Sequence, residues 1–188
     1  MMPAAETWRL VLPSDTVSVG VLVVTSYGPL GIDGILMALG QIGAPSWQPV
    51  DEVVASSVER LLDRGLVELM TSDDGQDLCF AATLAARARL PDLLEALPLS
   101  RSAPDIGYKL KVMSLDLLEG AARERQVAGL VDHWHDLLAL WKEAEAHCPC
   151  VQPMVRHWMR HNMLLARSEI EWLNSVVEPH GEARAAAQ

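Results

Sequence analysis

The alternation of apolar and polar positions is clearest near the C-terminal end. At about 3.6 residues per turn, the stretch from His157 to Val177 puts Trp158, Leu165, Trp172, Leu173 and Val176 on one side of a helix. Met159, Met163, Ala166 and Ile170 widen that arc, while Arg156, Arg160, Arg167, Glu171 and Asn174 fall opposite. An arc this wide predicts a helix covered by more than one neighbour. A second long helix, about Ala121 to His147, carries a matching stripe of Val127, Leu130, Trp134, Leu137, Leu138 and Trp141. The pair is expected to lie antiparallel and to be doubled by a second copy of the chain.

The first half has shorter periods. Thr16 to Ser26 is rich in β-branched residues and fits a strand on propensity alone; in the order of elements it stands as a first helix. Pro29 suits the first turn of a second helix, with Ile32, Ile35, Leu36 and Leu39 inward up to Gly40. A loop to Pro49 follows. Asp51 is the expected N-cap of a third helix with Val54, Val58, Leu61 and Leu62 inward, and Gly65 the left-handed residue that closes it. Leu66 to Met70 and Leu78 to Ala81 read as a hairpin turning at Asp74-Gly75. Thr83 caps a fourth helix that Pro98 stops, and Ser100 to Asp105 is a linker. Ile106 to Leu118 is a shorter helix, with Leu110, Met113, Leu117 and Leu118 inward.

Three helices followed by a two-stranded hairpin is the order of a winged helix-turn-helix. The stretches GPLGIDGILMAL (28–39), SSVERLLDRGLVEL (56–69) and DGQDLCFAATLAARARL (74–90) resemble the N-terminal domain of the PadR family of transcriptional regulators. YKLKVMSLDLL (108–118) and HNMLLARSEIEWLNSV (161–176) resemble its Vir-like helical dimerisation region. The resemblance implies a mainly α fold: a winged helix-turn-helix domain over 14–98, an antiparallel helical dimerisation region over 106–178, and a disordered tail over 179–188. It implies a homodimer that controls transcription in response to a small molecule. The departures fall where DNA would sit. Where the family carries a tyrosine-proline pair and a lysine, this chain, aligned on Gly65, has Ala55, Ser56 and Glu59. The family's basic wing is here Asp73-Asp74-Gly75-Gln76-Asp77.

Charge sharpens that departure. The chain of 188 residues has a net charge of −10, and residues 14–98 hold only Arg60, Arg64, Arg87 and Arg89 against twelve carboxylates, a net of −8. DNA binding rests on neutralising phosphates with Lys and Arg, so weak or lost binding is expected, and anionic membranes are disfavoured too. Ser56 and Ser57 facing bases, with Arg60 and Arg64 on phosphates, are the candidate DNA contacts. The alternative for the arginines is pairing with Glu59, Asp63 and Glu68 on a solvated face.

Trp134, Trp141, Trp158 and Trp172 all lie on apolar stripes, as packing residues or as the walls of an aromatic-lined pocket. Trp134, Trp141, Trp158, His161, Asn162 and Glu169 are the candidate ligand contacts. Asn162 and Glu169 interrupt the apolar arc seven residues apart and are candidates for fixing dimer register. His157 and His161 have the spacing of a helical metal pair near His147-Cys148-Pro149-Cys150, with His133 and His135 on the facing helix, but a lone CPC lacks the paired spacing of structural zinc. No metal and no cofactor are expected. No nucleophile motif, phosphate loop or carboxylate pair supports catalysis, which leaves enzymatic activity open. An odd three cysteines and an N-terminus without a basic region predict a cytoplasmic protein with reduced thiols. A ligand-responsive regulator, a repurposed small-molecule binder or enzyme with a pocket at the dimer interface, and a protein-interaction module built on the acidic winged helix remain distinct readings.

Overall fold

A computed structural model describes residues 14–43, 47–71, 77–100, 105–147 and 152–177. The wing turn at 72–76, the cysteines Cys148 and Cys150, and the tail beyond 177 lie outside them. The chain divides into two compact units, residues 1–118 and 119–188. The first holds α1 (Ser14–Tyr27), α2 (Ile32–Gly43), α3 (Asp51–Asp63), β1 (Val67–Thr71), β2 (Leu78–Ala82), α4 (Leu84–Ala96) and α5 (Ile106–Met113), which ends in a 3-10 turn over Ser114–Leu117. The second holds α6 (Gly120–His147) and α7 (Pro153–Val177).

The first unit is wrapped around α1. Every residue from Thr16 to Ser26 except Ser18 is buried, and the helix is packed by α2, α3, α4, α5 and β2. The strand reading of this run fails for that reason. A continuous apolar run signals burial on all sides, and periodicity alone cannot tell a buried strand from a buried helix. The β-branched residues cost some helix propensity, which burial of their side chains outweighs. Two of the hydroxyls buried on α1 bond back to their own helix. Thr25 Oγ1 donates to the Val21 carbonyl at 2.7 Å and Ser26 Oγ to that of Leu22 at 2.6 Å.

The wing is antiparallel, with Val67 opposite Ala82 and Thr71 opposite Leu78. The segment between α1 and α2 adds a third edge: Leu30 and Phe80 exchange N–H···O bonds of 3.0 and 2.9 Å. Gly65 takes a φ of +63°, the left-handed conformation that turns α3 into β1. Thr83 closes the other end. Its hydroxyl donates to the Gly65 carbonyl at 2.8 Å and accepts from Ala86 N at 3.2 Å, capping α4. Asp51 does not cap α3. Val50 occupies the cap position without a side-chain bond, and Asp51 and Glu52 form the first turn, where the positive end of the helix dipole favours carboxylates.

α5, expected from the sequence to begin the helical region, groups with the first unit and packs on α1, α2 and α4. Asp105 holds its start, accepting from Tyr108 N and Ser100 N at 2.9 Å each. Lys111 is buried, and its ammonium donates to the Glu95 carbonyl at 3.3 Å. Burial pushes its pKa down, opposed by the charges of Glu95 and Asp105. In the second unit α6 and α7 are antiparallel, joined by the Arg160–Glu145 ion pair at 2.9 Å near one end and by Arg123 donating to the Val176 carbonyl at the other. Val127, Leu130, Trp134, Leu137 and Leu138 meet Met159, Met163, Ala166, Ile170 and Leu173 along the seam. Among the described residues no helix is long and apolar enough to cross a membrane.

Two glycines separate a packing requirement from a propensity cost. A Cβ on Gly107 would lie 2.5 Å from the Pro98 carbonyl oxygen, whereas one on Gly40, inside α2, would meet nothing within 4 Å. Gly107→Ala is expected to lower unfolding free energy by about 1–3 kcal/mol, and Gly40→Ala to raise it by up to about 1 kcal/mol. Urea titration followed by circular dichroism reads both.

Candidate functional site

α3 carries the candidate DNA contacts Ser56, Ser57 and Arg60, with Arg64 at its C-terminal end. Its inward face, Val54, Ser57, Val58 and Leu61, is buried on the first-unit core. The face left to solvent carries Asp51, Glu52, Val53, Ser56, Glu59 and Asp63. The four candidate DNA contacts therefore divide. Ser56 and Arg64 are exposed. Ser57 is fully buried, and its hydroxyl donates to the Val53 carbonyl at 2.8 Å. Arg60 is half-buried and folds back, one guanidinium nitrogen donating to Ser57 Oγ at 3.0 Å. A guanidinium held against its own helix is withdrawn from the phosphates it would have to neutralise.

The candidate ligand residues divide as well. Trp134 is buried in the α6–α7 seam, its ring edge-on to His133 with centroids 6.0 Å apart. Trp141 is half-buried and meets Trp158 edge to face, centroids 4.9 Å apart and planes at 90°. Asn162 joins that pair by donating to the Trp158 carbonyl at 2.8 Å. His161 is exposed one position earlier, and Glu169 is half-buried two turns further on. Trp158 and Trp172 do not turn inward within the chain: they are 55% and 44% exposed. With Met154 and Leu165 they form an outer stripe on α7, beside the face that packs on α6. The wide arc of the sequence is thus two adjacent faces, of which α6 covers one. Among the described residues no three His, Cys, Asp or Glu side chains gather as metal ligands.

The sequence reading missed a recess of about 540 Å³ in the first unit, lined from α1, α2, α5 and the segment joining α1 to α2. Both tyrosines of the chain, Tyr27 and Tyr108, border it. Tyr27 donates its phenol proton to the Met113 carbonyl, and burial, with Asp116 nearby, holds the phenol pKa above its usual value. Three separate helices build the recess, so no single period of the chain marks it; the pairing of the two tyrosines is its one trace in composition.

The central helix, the succession of α2 and α3 and the antiparallel hairpin settle the architecture. The first unit is a winged helix-turn-helix. Among solved structures the chain is similar to PadR of Bacillus subtilis in complex with operator DNA, at 15% identity over 85% of this chain and 96% of that one, with a TM-score of 0.40. It is also similar to PadR of Bacillus subtilis in complex with p-coumaric acid, at 14% identity over 86% and 96% with a TM-score of 0.39. The Vibrio cholerae virulence activator AphA shares 19% identity over 90% and 99%, with a TM-score of 0.38. No protein-family model matches the sequence, and no curated protein matches it. At this identity and superposition no residue's role carries across from those proteins to this chain.

The Trp141–Trp158 contact can be weighed by itself. A double-mutant cycle with Trp141→Leu and Trp158→Leu is expected to give a coupling of about 0.5–1.5 kcal/mol, the worth of an edge-to-face aromatic pair beyond its buried area. Additive single effects in thermal unfolding would mean the rings touch without holding α6 to α7.

Proposed function

We propose that this protein is a homodimeric winged-helix protein of transcription-regulator type, that it responds to an apolar small molecule, and that its DNA binding is weak or lost. The observation that carries the reading is the outward face of α3. A groove-reading helix needs donors toward base edges and cations toward phosphates, and this one presents Glu52, Ser56, Glu59 and Asp63. With residues 14–98 at a net of −8, approach to a polyanion is repelled before any base is reached.

Dimerisation is supported by the outer stripe of α7. Trp158, Leu165 and Trp172 recur at sevenfold spacing beside the α6 seam. A second copy related by a twofold axis would cover that stripe with its own equivalent. Ligand response is supported at the same place. The perpendicular indoles of Trp141 and Trp158 form an apolar corner, with His161 and Asn162 within about one turn of Trp158 along α7 to orient a polar group.

Two measurements test this. Fluorescence polarisation with the DNA upstream of the protein's own gene, at about 0.05 M and about 0.15 M salt, is expected to show affinity no tighter than the ~1–100 μM of non-specific binding, disappearing at the higher salt. Arg60→Ala and Arg64→Ala together should abolish whatever binding remains. Sequence-specific nanomolar binding at the higher salt would overturn the reading of α3. Light scattering of the intact chain is expected to give twice 20.6 kDa, and Leu165→Glu with Trp172→Glu to give the single mass with helicity retained. A folded monomer at micromolar concentration would remove the dimer.

A further inference from the structure

The recess in the first unit is walled chiefly by branched hydrocarbon: Val23, Val24, Leu30, Ile42 and Val112 all line it. Its volume of about 540 Å³ lies within the span of small-molecule sites. One charged side chain stands among its lining residues, Lys109 on α5. The Lys109 ammonium is partly buried and donates to the carbonyl of Gly43, the last residue of α2, at 3.2 Å. An ammonium has three N–H donors, and this bond uses one. A cation beside an apolar wall is best satisfied by an anion that also accepts hydrogen bonds. The surrounding unit supplies carboxylates in excess, but among the described residues none lines the recess.

We propose that this recess binds an aliphatic monocarboxylic acid, with the hydrocarbon body between α1, α2 and α5 and the carboxylate on Lys109 Nζ. The wall selects the body, because aliphatic side chains outnumber the two tyrosines that line it. Lys109 selects the head group, favouring an anion over an alcohol and rejecting a cation. The site lies wholly within the first unit, and the inference depends on neither the reading of α3 nor that of α7. Its test reads acid binding, and theirs read DNA affinity and mass.

Isothermal titration of the intact protein with decanoate, decanol and decyltrimethylammonium is the experiment. Decanoate is expected to bind at least about tenfold more tightly than decanol, and the cation not to bind. Lys109→Met should bring decanoate down to the affinity of decanol and leave decanol unchanged, while Lys109→Arg keeps a preference for the acid. Ala38→Trp, which places an indole among the lining residues, should weaken binding of both. Because Lys109 also closes the end of α2, melting curves establish that each variant is folded. Equal binding of acid and alcohol, an unaltered decanoate affinity in folded Lys109→Met, or no decanoate binding by the parent would each overturn the proposal. So would loss of the dimer in Ala38→Trp without acid binding by the parent, which would assign the recess to a contact between copies.

Discussion

Burial of α1 is the constraint on which the first unit depends. A helix enclosed on all sides leaves no face for solvent, so each neighbouring element has to present an apolar surface to it. α2, α3, α4, α5 and β2 all do so, and their outer faces are left free to carry polar groups. Loss of large side chains at its centre would therefore loosen several elements at once. Leu22 is among the largest fully buried residues, and truncating such a core leucine typically costs about 2–5 kcal/mol. The acidic face of α3 and the recess beside α2 and α5 are both built on what this helix holds in place.

The two units solve burial differently. In the first, one helix is surrounded and the surface is available for chemistry. In the second, two long helices share one seam, and the remaining apolar positions of α7 stay at the surface of the single chain. The contrast accounts for the two kinds of surface the molecule offers: a carboxylate-rich face on α3, and an apolar stripe carrying two tryptophans on α7.

Much of this architecture was legible because it is written in local signals. Gly65 marks a turn that needs positive φ, Thr83 a cap, and the stripes of α6 and α7 their seam. The nature of α1 was legible only from its place in the order of elements, because a run buried on every side has no amphipathic period and its β-branched residues favour a strand. The Asp51 cap failed by one residue; the helix begins a residue earlier relative to the carboxylate than the cap requires. Ser57 and Arg60 could be placed on α3 from sequence, but not the bond that turns the arginine back onto its own helix, which depends on rotamer and burial. Trp158 and Trp172 lay on the apolar arc as expected, yet that arc spans two faces and its period does not say which one α6 takes. The recess left no mark on any single period because it belongs to no one element.

The internal hydroxyl bonds of α1 have a consequence for how such a chain can change over time. Thr25 and Ser26 direct their protons to carbonyls of their own helix, so neither asks a neighbouring element for a polar partner. What the neighbours must supply is volume and hydrocarbon. Leucine, isoleucine, valine and methionine can replace one another around α1 at modest cost if the total volume is kept. A frame with such undemanding internal requirements lets its outer faces drift toward new chemistry while the arrangement of helices persists.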